Sequence, residues 1–92
     1  MIELVLCRRI NLSGIQVLEG APVGVFLDSC DDMLITGCAI LDGRAMAQRR
    51  PPIRWLGRGR GNLVANCRLS GRSSPEDIAA DAGVRLEGNV FD

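Results

Sequence analysis

GVFLDSCDDMLITGCAILDG, residues 24–43, reads as one turn of a parallel β-solenoid: an apolar strand, a polar corner, a second strand, a two-residue bend and a third strand. Other segments repeat it. Moved back by 23 residues, the stretch lays Cys30 on Cys7, Ile35 on Leu12, Gly37 on Gly14, Ile40 on Val17 and Asp42 on Glu19. Moved forward by 29, it lays Leu34 on Leu63, Ile35 on Val64, Cys38 on Cys67 and Ile40 on Leu69. A further step of 22 brings Cys67 to Asn89, Val64 to Leu86 and Leu69 to Phe91. A base period of about 22 lies in the range of coiled repeat architectures.

The expected organisation is one all-β domain over residues 1–92, a short right-handed parallel β-helix of three to four turns. The turns fall at about 1–22, 23–44, 51–71 and 83–92, with insertions at 44–52 and 72–83. Inward positions on the turns include Ile2, Leu4, Leu12, Val25, Leu27, Ile35, Ile53 and Trp55, alternating with outward residues as strands require. The second insertion carries a helix start, with Ser73 and Ser74 as caps, Pro75 at the first helical position and acids behind it. It predicts a short helix over 78–82, closed at Gly83. Strand register in 1–6 and 54–61 stays open by one residue, which would exchange inward and outward side chains there.

The chain has 92 residues, 11 basic and 11 acidic, so its formal charge is zero and it lacks the basic surface that nucleic acid or an anionic membrane would demand. Histidine is absent, which removes the usual near-neutral proton carrier and metal ligand. The four cysteines have no C-x2-C or C-x4-C spacing suited to zinc. They fall into two columns, Cys7 with Cys30 and Cys38 with Cys67; reduced buried thiols are the favoured state and disulfides the alternative. No cofactor or metal is expected. The N-terminal residues lack the order of a secretory signal and no run is long enough to span a membrane, so a cytoplasmic location is expected.

The run GVFLDSCDDMLITGCAIL resembles the repeats of the right-handed parallel β-helix, the pectate-lyase-like fold. Gly24, Val25, Leu27, Ser29, Met33, Ile35, Gly37 and Ile40 fit its typical turn. Asn89 sits where that family often stacks asparagines, in a column held here by Ile15, Cys38 and Cys67. The family includes polysaccharide lyases, hydrolases, tailspikes and interaction modules, so the resemblance implies the fold and no single activity. It also raises the matter of the ends, which in a solenoid expose core and unpaired strand groups. Self-association, a longer parent chain, or the inserted helix folding over one end are the three answers.

Several constellations bear chemistry. Arg8 and Arg9 should stack on Asp31 and Asp32, with Arg60 beyond Asp31. Glu19 and Asp42 share a column, as a carboxylate pair on a cation or, less so, a glycan would; the plainer expectation is two solvated acids, or acids answered by Arg44. Arg54, Arg58 and Arg60, with Arg44, Arg49 and Arg50 near them, gather around GRGRG (57–61), a corner suited to an acidic saccharide. Phe26, Leu34, Leu63, Leu18 and Leu41 point outward, Leu34 beside Leu63 and Leu18 beside Leu41, and mark an interface. The leading expectation is a non-catalytic binding or interaction module forming a homo-oligomer. The rival is a reduced polysaccharide-active enzyme working on an acidic glycan.

Overall fold

The computed structural model describes residues 1–44, 51–71 and 76–91. Nearly all regular structure is strand: β1 (Ile2–Val5), β2 (Asn11–Ser13), β3 (Gln16–Leu18), β4 (Val25–Asp28), β5 (Leu34–Thr36), β6 (Ala39–Leu41), β7 (Ile53–Leu56), β8 (Asn62–Ala65), β9 (Arg68–Leu69), β10 (Val84–Glu87) and β11 (Val90–Phe91). Every pairing is parallel. The strands form three sheets, ordered β1-β4-β7, β2-β5-β8-β10 and β3-β6-β9-β11. The chain therefore visits first, second and third sheet in rotation, and each circuit lies against the one before it.

Alternation decides which side chains meet inside. On β4, Val25 and Leu27 are buried while Phe26 and Asp28 are half-exposed. The pairing registers then stack like on like: Leu4, Leu27 and Trp55 in the first sheet, Leu12, Ile35, Val64 and Leu86 in the second, Val17, Ile40, Leu69 and Phe91 in the third. Full burial of a side chain such as Leu27, Ile35 or Ile40 contributes about 1.5–3 kcal/mol. The expected register in residues 2–5 and 54–56 holds, with Ile2, Leu4 and Trp55 on the core side.

The corners repeat a backbone conformation whatever residue occupies them. Leu6, Ser29 and Gly57 are left-handed (φ 55°, 57° and 76°) where the first sheet gives way to a corner. Gly14, Gly37, Asn66 and Gly88 are left-handed at the bend before the third sheet. Packing of successive circuits imposes the turn; a non-glycine residue there carries its steric cost.

The 57–61 corner holds one residue more than the corner above it. The step between circuits is 28 residues in the first sheet, from Val25 to Ile53, and 29 in the second, from Leu34 to Leu63. The glycines make room for the extra residue. Gly59 lies so close to the circuit above that a β-carbon would collide with the Cys30 carbonyl, and it would stand 2.9 Å from the Ala82 carbonyl on the circuit below.

Residues 72–83, expected as an insertion with a helix, are laid out differently. Residues 77–79 run beside β7: Ile78 bridges Trp55, Trp55 N–H donates to Asp77 O at 2.6 Å and Ala79 N–H to Trp55 O at 2.8 Å. The expected helix over 78–82 reduces to a 3-10 turn, Ala80–Ala82, closed by left-handed Gly83. A step of 23 from Trp55 to Ile78 equals the step between the first two circuits, so this segment supplies the first side of a fourth circuit. Pairing with β7 outweighs a local helical preference too short to stand alone. The caps at Ser73, Ser74 and Pro75, and residues 45–50 of the first insertion (44–52), lie outside the described residues.

Candidate functional site

The register that pairs Leu18 with Leu41 sets Glu19 one circuit above Asp42. The two carboxylates have different surroundings. Glu19 is exposed and left-handed (φ 54°). Asp42 is buried, and its Oδ1 accepts from Arg44 Nε at 2.8 Å while Oδ2 accepts from Nη2 at 2.7 Å. The Arg44 backbone N–H adds a third bond to Oδ1 at 3.0 Å, and Nη2 also reaches Gly20 O at 3.2 Å. The bond to Asp42, with the charges of Asp42 and Glu19 behind it, lifts the Arg44 guanidinium above its ordinary value. On the other side, Asp42 N–H donates to Ser70 Oγ at 2.7 Å. A carboxylate held by a two-pronged guanidinium is an acceptor already filled. It ties Gly20, Asp42 and Ser70 of three successive circuits together. Beside it is a recess lined by Gly20, Gly24, Ile40, Leu41, Asp42, Pro51, Pro52 and Ser70, with a volume of about 10 Å³, room for about one water molecule.

The expected basic corner divides. Arg54 donates from both Nε and Nη2 to Asp77 Oδ1, each at 3.1 Å, and Asp77 is buried. Arg58 and Arg60 are exposed. The loop amides between them are in use: Gly59 N–H donates to Asp81 O at 2.9 Å and Arg60 N–H to Asp31 Oδ1 at 3.1 Å. Arg8 meets Asp31 at 3.6 Å with its own side chain 73% exposed, a pair worth about 0–1 kcal/mol. Arg60 thus approaches Asp31 through its backbone. Arg49 and Arg50 lie outside the described residues.

The outward apolar residues lie as their columns require. Leu34 pairs with Leu63, between Asn11 above and Arg85 below. Leu18 pairs with Leu41 and is 59% exposed. Phe26 stands between Glu3 and Arg54. Inward residues of the first and last circuits are less covered than those between. Leu4, Leu12 and Val17 of the first circuit and Ile78 and Phe91 of the last are only part-buried, and Leu86 is exposed, whereas Leu27, Ile35 and Ile40 between them are buried.

Three polar residues not singled out by sequence organise the interior. Asn62 accepts from Met33 N–H at 3.0 Å and donates to Cys30 O at 2.9 Å and Ala82 O at 2.7 Å. Asp77 anchors Arg54, and Ser70 anchors Asp42. For Asn62 the signal was available: it is the polar member of the inward column Ile10, Met33, Asn62, Val84. Asp77 carried none, because its place depends on the fourth circuit. Asn89, noted for its column, accepts from Cys67 N–H at 2.9 Å and donates to Val64 O at 3.0 Å.

The four cysteines are free; Cys7 is part-buried and the other three buried. The Sγ atoms of Cys38 and Cys67 reach Leu12 O at 3.4 Å and Ile35 O at 3.6 Å on the circuit above. Burial pushes the Cys67 thiol up, and outweighs the lowering by the backbone of Cys38 and Gly37. Trp55 Nε1 is buried with no hydrogen-bond partner among the described residues. No cluster of three or more His, Cys, Asp or Glu placed to hold a metal occurs among the described residues, and none of their helices is long and apolar enough to cross a membrane.

Comparison with protein-family models, curated proteins and solved structures finds no match to this chain.

Proposed function

We propose that this chain is a short right-handed parallel β-helix, a solenoid of four circuits, acting as a non-catalytic interaction module that associates with further copies of itself. Unbroken stacking of inward columns through three parallel sheets, at steps of 22 to 29 residues, supports the solenoid reading. Unequal burial along one column carries the interaction reading. Ile40 and Leu69 are 3% and 2% exposed, while Val17 above them and Phe91 below are part-open. Among the described residues each end therefore offers part-open apolar core, the kind of surface that recruits another chain.

The rival, a reduced polysaccharide-active β-helix on an acidic glycan, has less behind it. Asp42 is filled by Arg44, Arg54 is engaged by Asp77, and the cavity between circuits is small. Light scattering behind a sizing column tests the proposal. The expected mass exceeds the 9.9 kDa of one chain and survives dilution into the micromolar range. A 9.9 kDa species at every concentration overturns it.

A further inference from the structure

We propose that copies stack head to tail, the fourth circuit of one chain seated on the first circuit of the next. The inference rests on the self-association reading and names its geometry. Three separate features converge on it.

The inward columns run on in phase. At the fourth circuit they end in Ile78, Leu86 and Phe91. At the first they begin with Leu4, Leu12 and Val17. A second copy translated by four circuits, about 19 Å at the spacing of neighbouring strands, lays each of the first three on its counterpart. All six are part-buried or exposed in the single chain. The seam then has the same make-up as the buried seams between circuits two and three.

Asn89 has the upward half of a pattern that Asn62 completes. Both accept from the backbone N–H above them in their column, Met33 for Asn62 and Cys67 for Asn89. Both donate to the carbonyl three residues before that N–H, Cys30 and Val64. Asn62 gives its second amide hydrogen to the circuit below, to Ala82 O, two residues before Val84, its column neighbour there. For Asn89 the column neighbour below would be Ile15 of the next copy, and the matching carbonyl is that of Ser13. Gly14 N–H turns toward the second circuit to bond Thr36 O, and Cys38 Sγ reaches Leu12 O from that side. In a parallel ladder neighbouring residues face opposite sides, so the Ser13 carbonyl between them faces the open edge.

Charge alternates along the first corner. Arg8, Asp31 and Arg60 follow one another down one column, and Ala82 follows with exposed Asp81 beside it. The next residue in that column is Arg8 of the next copy, which falls on neutral Ala82 with the exposed Asp81 one residue before it, so an acid again stands beside an arginine at the seam.

Such a contact joins two different faces and does not close, so it generates a series of lengths. The test uses one variant for each end. Leu86→Lys places an ammonium at the lower face, where the side chain is exposed in the single chain; Leu12→Lys does the same at the upper face. Each alone is expected to weaken association by about a hundredfold or more, because the charge is buried unpaired at the seam. Mixed, the two are expected to form a 1:1 dimer through their intact faces, and to stop there. Circular dichroism checks that each is folded. Should Leu12→Lys unfold, the charge cycle replaces it: Arg8→Asp and Asp81→Arg each weaken association, and the two together restore it. Association of Leu86→Lys equal to wild type overturns head-to-tail stacking while leaving self-association standing, through a lateral face. So does a wild-type mass that stops at a dimer. A wild-type monomer overturns both.

Discussion

Asn62 Nδ2 and the Ala82 carbonyl, 2.7 Å apart, join the third circuit to the fourth from inside the core. The same nitrogen holds Cys30 O on the second circuit, so one side chain spans three layers. Asn62→Leu would leave Cys30 O, Ala82 O and the Met33 N–H buried and unpaired. An orphaned buried group costs about 1–3 kcal/mol. The expected loss is about 3 kcal/mol or more, read as a lower urea midpoint with an unchanged slope.

Gly59 is required by proximity. Its φ is not in the left-handed region, but the space for a β-carbon is taken by backbone atoms of Cys30 and Ala82, which cannot swing aside. Gly59→Ala is expected to cost about 3 kcal/mol, the upper part of the overpacking range. Gly71→Ala, with nothing within 4 Å of its β-position, separates collision from conformation: it has only the backbone strain of φ 69° to bear.

Leu6 offers a gain. It holds φ 55° at the corner while 76% exposed, so it bears the left-handed penalty and buries little in return. Leu6→Gly relieves about 1–2 kcal/mol of strain and gives back up to about 1 kcal/mol in unfolded-chain entropy. The expected net is a small rise in melting temperature, measured by differential scanning calorimetry. A fall would mean the Leu6 side chain is covered in the native assembly.

Cys67 sets an alkaline limit. Burial raises its folded pKa above the ordinary value of about 9, so the folded state holds the thiol proton more tightly than the unfolded chain. That contribution is whole below the ordinary thiol range and is lost as pH rises through the folded pKa. Stability of the wild type is expected to fall as pH climbs past about 9, and Cys67→Ala to show a shallower fall, by urea titration at several pH values under reducing conditions. In native buffer a thiol reagent is expected to label Cys7 fast and the three buried cysteines slowly.

Much of this was legible before any coordinates. The pairings Leu12 with Ile35, Leu34 with Leu63 and Val64 with Leu86 could be read from alignment of the repeats, because each strand alternates and a parallel stack demands matching inward positions. The columns of Glu19 with Asp42 and of Cys38 with Cys67 followed from the same alignment. The role of residues 77–79 did not. Their local signals, a proline and acids after serines, favour a helix, and only a strand one circuit away in space, with Trp55 at its centre, converts them into the side of a fourth circuit.

By itself the sequence determined the all-β class, the parallel pairings and, outside residues 1–6 and 54–61, which side chains face inward, since these depend on period and alternation, both written along the chain. Tertiary structure decided how the charges are spent, choosing Arg44 among the partners open to Asp42 and supplying Asp77 for Arg54. Asp42 is claimed by Arg44, two residues on, because the corner folds back on itself, and Arg54 is claimed by Asp77, 23 residues away, because the next circuit passes beneath it. Tertiary structure also decided how far each inward residue is covered. Inward residues bury only when a circuit covers them on both sides, and among the described residues Leu12 has a strand neighbour only in Ile35 and Leu86 only in Val64.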